Sequence, residues 1–231
     1  MTLQEFQDYV QVLYMGNTDT PDEGADSWNY RLGLLKAAIN TWETEEGVQW
    51  DELWVLNSDA SDGDKTTNGT DSVYDAPTDF KRAGGYVYLT DADNQRIWYG
   101  YIKPTDVQVK LIQSSSEKYF WVTGNKKIGF SINLSDVPES GMSIEYAYYK
   151  DAYNPTLASH AFEMYDPWYA VHFALSYVNS NAENADKSNV EMSLAAQKLK
   201  SMKFRNAASP AGQIQRVGDP QSDVSLASFG R

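Results

Sequence analysis

The sequence predicts an α+β protein: a four-helix bundle, built from two N-terminal and two C-terminal helices, interrupted by a β-rich insertion and followed by an extended C-terminal arm. Three observations predict it. Residues 27–46 carry Trp28, Leu32, Leu35, Ile39 and Trp42 at intervals of four and three, which places them on one stripe of a helix that needs a partner. The following hundred residues hold short runs rich in Tyr, Val and Ile between turn residues, with no second apolar helix. Helical spacing then returns near the C-terminus. The organisation read from this is an N-terminal helix pair over 1–53, a β module over 54–156, a C-terminal helix pair over 157–204 and an arm over 205–231.

Each element has its own signal. Thr2 and Glu5 have capping-box spacing, and Leu3, Phe6, Val10 and Leu13 recur at helical intervals, so a first helix covers residues 3–15 and ends at Gly16. The turn-rich acidic segment 18–26 leads to the second helix, with Asp26 or Ser27 as its N-cap and Gly47 as its stop. Residues 58–72 contain no apolar residue larger than Ala and read as a long exposed loop, mobile unless bound. Residues 86–90 and 96–102 read as a hairpin, 107–113 alternates with period two, 119–134 is two strands around Gly124, and 143–150 is another strand. Together they predict a small sandwich or barrel. Asp166 and Pro167 start a third helix bearing Trp168, Val171, Leu175 and Val178, and a fourth carries Met192, Ala195, Leu199 and Met202. The stripe of the second helix is expected to pack on these two. Beyond Arg205 the chain is small and polar with scattered apolar residues, which describes an arm that docks on something.

Composition narrows the function. Among 231 residues there is no Cys, which excludes a disulfide framework and a thiolate metal site. The N-terminal decapeptide is polar and acidic, and no apolar run approaches the ~18 residues of a spanning helix, so the expectation is cytoplasmic synthesis without a leader or membrane anchor. The net charge of -13 is uneven: residues 1–80 hold 17 Asp and Glu against 3 Lys and Arg. That balance argues against gripping nucleic acid through its phosphates. It fits either a solubilising surface or one past which a polyanion slides.

Candidate chemistry is sparse. His160 and His172 lie in no metal-binding spacing, and there is no phosphate loop or nucleophile elbow. Asp62, Asp64, Thr66 and Asn68 alternate as calcium ligands do, but Gly69 falls at loop position 8 instead of 6 and Val73 occupies position 12. No pair of carboxylates is singled out for glycoside hydrolysis. Tyr86, Tyr88, Trp98, Tyr99, Tyr101, Tyr119, Trp121, Tyr146, Tyr148 and Tyr149 permit a carbohydrate- or surface-binding platform, although such residues more often serve cores and interfaces. The expectation is a non-enzymatic chain with no cofactor and no metal.

The layout resembles the head-to-tail adaptor (connector, or neck) proteins of tailed bacteriophages. The resemblance rests on Gly124 and Asn125, Ile132, the turn of Pro138 and Gly141, the strand bearing Ile144, Tyr146, Tyr149 and Lys150, and the helix start Asp166 and Pro167. It implies a virion structural protein, assembled as a homo-oligomeric ring, usually of twelve copies. Such a ring sits between the portal protein and a downstream tail or head-closure protein, and DNA passes through its channel without specific binding. On that reading the arm residues Ile214, Val217, Val224, Leu226 and Phe229 grip the portal. Acid from Asp19, Asp22, Glu23, Glu43, Glu45, Glu46, Asp59, Asp62 and Asp64 lines the channel, where like charge keeps DNA from sticking.

Overall fold

A computed structural model describes residues 1–107, 118–131 and 137–208. It divides into a helical unit, formed by Met1–Glu52 with the chain from Ala152 onward, and a sheet unit, Leu53–Asp151. Among the described residues there are four α-helices and one seven-stranded mixed sheet, and none of the helices is long and apolar enough to cross a membrane.

In the helical unit α1 spans Leu3–Met15 and begins with the expected capping box: the Thr2 N–H donates to Glu5 Oε2 at 2.8 Å and the Glu5 N–H to Thr2 Oγ1 at 3.2 Å. Two more first-turn donors are satisfied from far along the chain, Leu3 N–H by the His160 carbonyl and Gln4 N–H by the Ala158 carbonyl. Gly16, at φ +71°, ends the helix. The second helix, α2, spans Asp26–Glu43 and buries Trp28, Leu35, Ile39 and Trp42 of its stripe. Asp26 lies inside its first turn, not at the N-cap, which is Ala25 and makes no side-chain bond. Its carboxylate there still suits the positive end of the helix. Arg31 is buried between α1 and α2, donating to Gln11 Oε1 at 2.7 Å and to the Gln7 carbonyl at 3.4 Å. Past α2, Trp50 stacks on Trp42 with ring centroids 5.2 Å apart.

The expected four-helix bundle with a β insertion does not form. The third helix, α3 (Trp168–Asn181), buries Tyr169, Ala170, Val171, Phe173, Ala174, Leu175, Ser176, Val178 and Asn179, most of its circumference, where the spacing predicted a single stripe. A helix apolar all round has to be surrounded, and α1, α2 and α4 (Ala185–Ala208) each pack on α3. Helix α2 thus finds its partner in α3, while α1 and α2 touch each other lightly. Helix α4 is mostly polar, burying Ala195 and Met202 and leaving Met192 exposed. Four equivalent inward stripes around one axis therefore do not exist; there is one central helix and three covering ones.

The sheet unit is a curled, half-barrel sheet in place of the expected sandwich or closed barrel. Its strands are β1 (Trp54–Leu56), β2 (Val73–Asp75), β3 (Phe80–Thr90), β4 (Arg96–Tyr101), β5 (Tyr119–Thr123), β6 (Lys127–Ser131) and β7 (Ser143–Lys150), in the order β1-β7-β3-β4-β5-β6-β2. Among the described residues only the β4–β5 pair is parallel. Alternate residues fill the concave core: Val87 and Leu89 of β3, Tyr99 of β4, Phe120 of β5, Ile128 and Phe130 of β6, Ile144 and Tyr146 of β7. Residues 108–113 of the strand expected at 107–113 lie outside the described residues.

The acidic segment 58–72 is a largely exposed loop, as expected, and it is laced to the sheet. Thr67, which is buried, donates its N–H to the Met142 carbonyl at 2.9 Å and accepts the Gly141 N–H at 2.8 Å. Ile144 N–H donates to the Lys65 carbonyl, and Thr66 pairs with Ser143. Polarity of sequence hid these bonds, since they are made by backbone and hydroxyl groups.

On the convex face, the Trp121 indole lies against Gly129, its cross-strand partner, in the space a Cβ would occupy. Gly129→Val is expected to lower stability by about 1–3 kcal/mol through overpacking, read in urea unfolding, with partial recovery when Trp121→Gly is added. In the helical unit, Leu35→Ala is expected to cost about 2–5 kcal/mol; an unchanged urea midpoint for either single variant would show that the packing is not as described.

Candidate functional site

Local geometry assigns several of the suspected chemical groups to structural bonds. His172 Nδ1 lies 2.7 Å from Glu191 Oε2, joining α3 to α4. His160 Nδ1 faces the Tyr153 hydroxyl at 2.6 Å and accepts the Leu157 N–H at 3.3 Å, so it organises the loop whose carbonyls hold the start of α1. The four alternating residues of the loop diverge: Asp62 accepts the Thr78 N–H at 3.0 Å, Asp64 the Asp75 N–H at 2.8 Å, and Asn68 Oδ1 the N–H groups of Thr70 and Asp71, while Thr66 bridges to Ser143. Among the described residues no three His, Cys, Asp or Glu side chains are gathered as metal ligands. Thr78, through its side chain and its backbone N–H, holds the Asp62 carboxyl below its ordinary pKa.

The residues expected to line an acidic channel fall in both units. In the helical unit Asp19, Asp22 and Glu23 are exposed on the α1–α2 loop. Glu43 ends α2, Glu46 is exposed beyond it, and Glu45 is paired with Lys203 of α4 at 2.6 Å. In the sheet unit Asp59 and Asp64 are exposed and Asp62 is half-buried. The arm residues Ile214, Val217, Val224, Leu226 and Phe229 lie outside the described residues. So does Ile132 of the adaptor-like pattern.

The aromatic residues divide into a buried and an exposed set, and strand parity alone does not separate them, since the neighbours Tyr148 and Tyr149 are both buried. Tyr99, Tyr146, Tyr148 and Tyr149 are buried. Burial and the hydrogen bond to Asp79 push the Tyr148 hydroxyl pKa up. On the convex face of β3 and β4, Tyr88 and Trp98 are paired across the strands with ring centroids 4.8 Å apart, and Tyr86 meets Trp98 edge-on at 5.9 Å. Arg96 stacks over Tyr88 at 4.7 Å. Tyr86 is 66% and Trp98 53% exposed, whereas Trp121 is committed to Gly129.

The helical unit presents large exposed apolar side chains that sequence reasoning missed. Tyr9, Val12, Leu13 and Met15 of α1 and Val190 and Phe204 of α4 all face solvent, Phe204 at 79%. The signal was available only in part: Val12 falls on the far side of α1 from Leu3, Phe6 and Val10, whereas Leu13 continues their stripe, as the spacing predicted, and is nonetheless exposed. Compared with models of protein families and with curated proteins, the sequence matches none.

The Asp62 bond gives a pH-dependent expectation. A carboxyl whose pKa is depressed by folding contributes stability above its unfolded value and loses it as pH falls through the folded value. The protection factor of the Thr78 amide, its exchange rate relative to the intrinsic rate at the same pH, is therefore expected to fall on acidification below the ordinary aspartate range, and Asp62→Ala should show the same low protection at neutral pH. Equal Thr78 protection in wild type and Asp62→Ala would overturn the assignment.

Proposed function

We propose that this chain is a non-enzymatic structural adaptor of a virion, working as an oligomeric ring at the neck between a capsid portal and the tail. The observation that carries the reading is the spread of exposed large apolar side chains over both units: Val12, Leu13, Met15 and Phe204 in one, Tyr86, Trp98 and Tyr101 in the other. Exposed apolar side chains that adjoin, as the touching rings of Tyr86 and Trp98 do, mark contact with other proteins. A ring subunit needs several such faces, two for its neighbours and others for the parts above and below. The adaptor-like pattern of turns and strands described from the sequence points the same way. The exposed acid at Asp19, Asp22, Glu23, Asp59 and Asp64 suits a channel through which DNA slides, since like charges repel within about 8–10 Å at physiological salt. In this reading the chain is made in the host cytoplasm, the residues beyond α4 hold the portal, and a head-closure or tail protein binds the opposite side.

Asn206 sets where the arm can be cut. Its side chain accepts the Asp51 N–H at 2.9 Å and donates to the Gln49 carbonyl at 2.6 Å, so it belongs to the helical unit. Deletion of residues 209–231 is expected to leave the far-ultraviolet circular dichroism of the helices intact and to abolish joining to portal-bearing capsids. Normal joining by that truncation would remove the portal-gripping role.

The Tyr86, Tyr88 and Trp98 cluster favours a second reading, a carbohydrate- or surface-binding module on a virion or cell, because exposed indole and phenol faces stack on sugar rings. Under it, wild-type protein binds a glycan array and Trp98→Ala does not. An array without signal for the wild type removes this reading.

A further inference from the structure

Gly100 is a strand glycine that nothing in the sheet's own packing requires. It lies inside β4 and is exposed, where glycine weakens a strand and marks a bulge or the close approach of a ligand or another backbone. Its backbone is not left-handed. The β4–β5 register pairs it with Tyr119, and continuing the β3–β4 register sets it opposite Tyr86. A Cβ there would make only ordinary contacts, 3.7 Å to the Lys118 carbonyl and 3.9 Å to the Tyr119 ring. No ring lies on it, because Tyr86 turns to Trp98 instead. What the glycine leaves is a trough in the convex face. Tyr86 and Tyr119 stand on the flanking strands, about 10 Å apart across β4, and Trp98, two residues along β4 on the same face, closes one end. Beside Trp98 is a cation: Arg96 is exposed, lies over Tyr88 at 4.7 Å and makes no ion pair among the described residues. The carboxylates around it have other partners, Glu145 the Thr90 hydroxyl at 2.8 Å and Asp91 the N–H groups of Asp93 and Gln95.

We propose that this trough binds an acidic glycan: a pyranose ring lies over Gly100 against Trp98, and a carboxylate or sulfate of the glycan meets Arg96. A pyranose has C–H faces and a rim of hydroxyls. The trough has the matching form, aromatic walls with phenol hydroxyls at their tips above a floor with no side chain. A peptide strand would need an unpaired backbone edge, and β3, β4 and β5 are all interior strands. Charge complementarity selects the acid, since a guanidinium binds carboxylate or sulfate through paired, charge-assisted hydrogen bonds. The inference rests on the carbohydrate-binding reading and names the class of sugar that the site takes.

The test is a glycan array with neutral, uronate-bearing, sialate-bearing and sulfate-bearing arms, probed with the full chain. Wild type is expected to bind acidic members at least tenfold more tightly than their neutral counterparts, and the arms show which acid is read. Gly100→Val is expected to keep the wild-type urea midpoint, because its Cβ meets only ordinary contacts, and to lose this binding at least tenfold. Tyr86→Ala, which removes an exposed wall, takes its place if the valine variant does not fold. Arg96→Gln is expected to bring acidic glycans down to the level of neutral ones. Wild-type binding with no preference for acid, or acid binding undiminished in Arg96→Gln, overturns the proposal. So does full binding by a folded Gly100→Val or by Tyr86→Ala. In those cases loss of binding in Trp98→Ala still keeps the carbohydrate reading. No binding to any arm removes that reading and this inference together, and retention on an immobilised acidic peptide alone then assigns the face to a protein partner.

Discussion

The helical unit depends on one constraint: α3 buries most of its circumference, leaving Tyr177, Ser180 and Asn181 toward its C-terminal end to water. Tyr169, Val171, Phe173, Leu175 and Val178 point in different directions around its axis and all are buried, each such side chain favouring burial by about 1.5–3 kcal/mol. A single neighbour could cover only a third of that surface. Three are recruited, and because two of them lie at the start of the chain, residues 1–52 and the chain after 152 close into one unit. Polar details then fix the placement. The His160 and Ala158 carbonyls hold the first turn of α1, Arg31 bridges α1 and α2 through the Gln7 backbone carbonyl and the Gln11 side-chain oxygen, and the Lys203–Glu45 pair and Asn206 tie the end of α4 to the segment after α2.

In the sheet unit the equivalent constraint is curvature. The concave side is filled by aromatic and branched residues from six strands, so the convex side has to accommodate wide side chains over little backbone. It does so with glycine. Gly129 receives the indole of Trp121, and a Cβ at Gly84 would meet the indole of Trp54. Where no glycine lies beneath, the rings of Tyr86 and Trp98 stand out into solvent. The exposed aromatic cluster is in this sense what the sheet leaves over after its own packing is complete, which is why it is available for a partner.

Regular spacing was legible in the sequence. The Thr2–Glu5 capping box, the α2 stripe, the β3–β4 hairpin and the strands flanking Gly124 are all where periodicity and turn residues put them. What could not be read was how many sides of a helix are buried. The four residues chosen on α3 formed one stripe, yet Tyr169, Ala170, Phe173 and Ala174 between them are also buried, and that difference separates a bundle from a hub. Strands of three residues, β1 and β2, are too short to show a period. The lacing of 58–72 came from backbone groups and a threonine hydroxyl, which carry no hydropathy signal. For the candidate surfaces, residue type was visible but exposure was not: Trp98 and Trp121 look alike in sequence, and only the glycine opposite Trp121 distinguishes them.

The split helical unit has a kinetic meaning. The sheet unit is continuous in sequence and can complete its pairings as it leaves the ribosome, whereas α1 and α2 emerge before α3, the helix on which they pack. Their apolar stripes wait through the synthesis of the whole sheet until α3 arrives. Contacts of such sequence separation close late and slowly. For that interval the N-terminal segment is an exposed amphipathic hairpin, and its dense negative charge, whatever it does in the finished protein, keeps nascent copies apart while they wait.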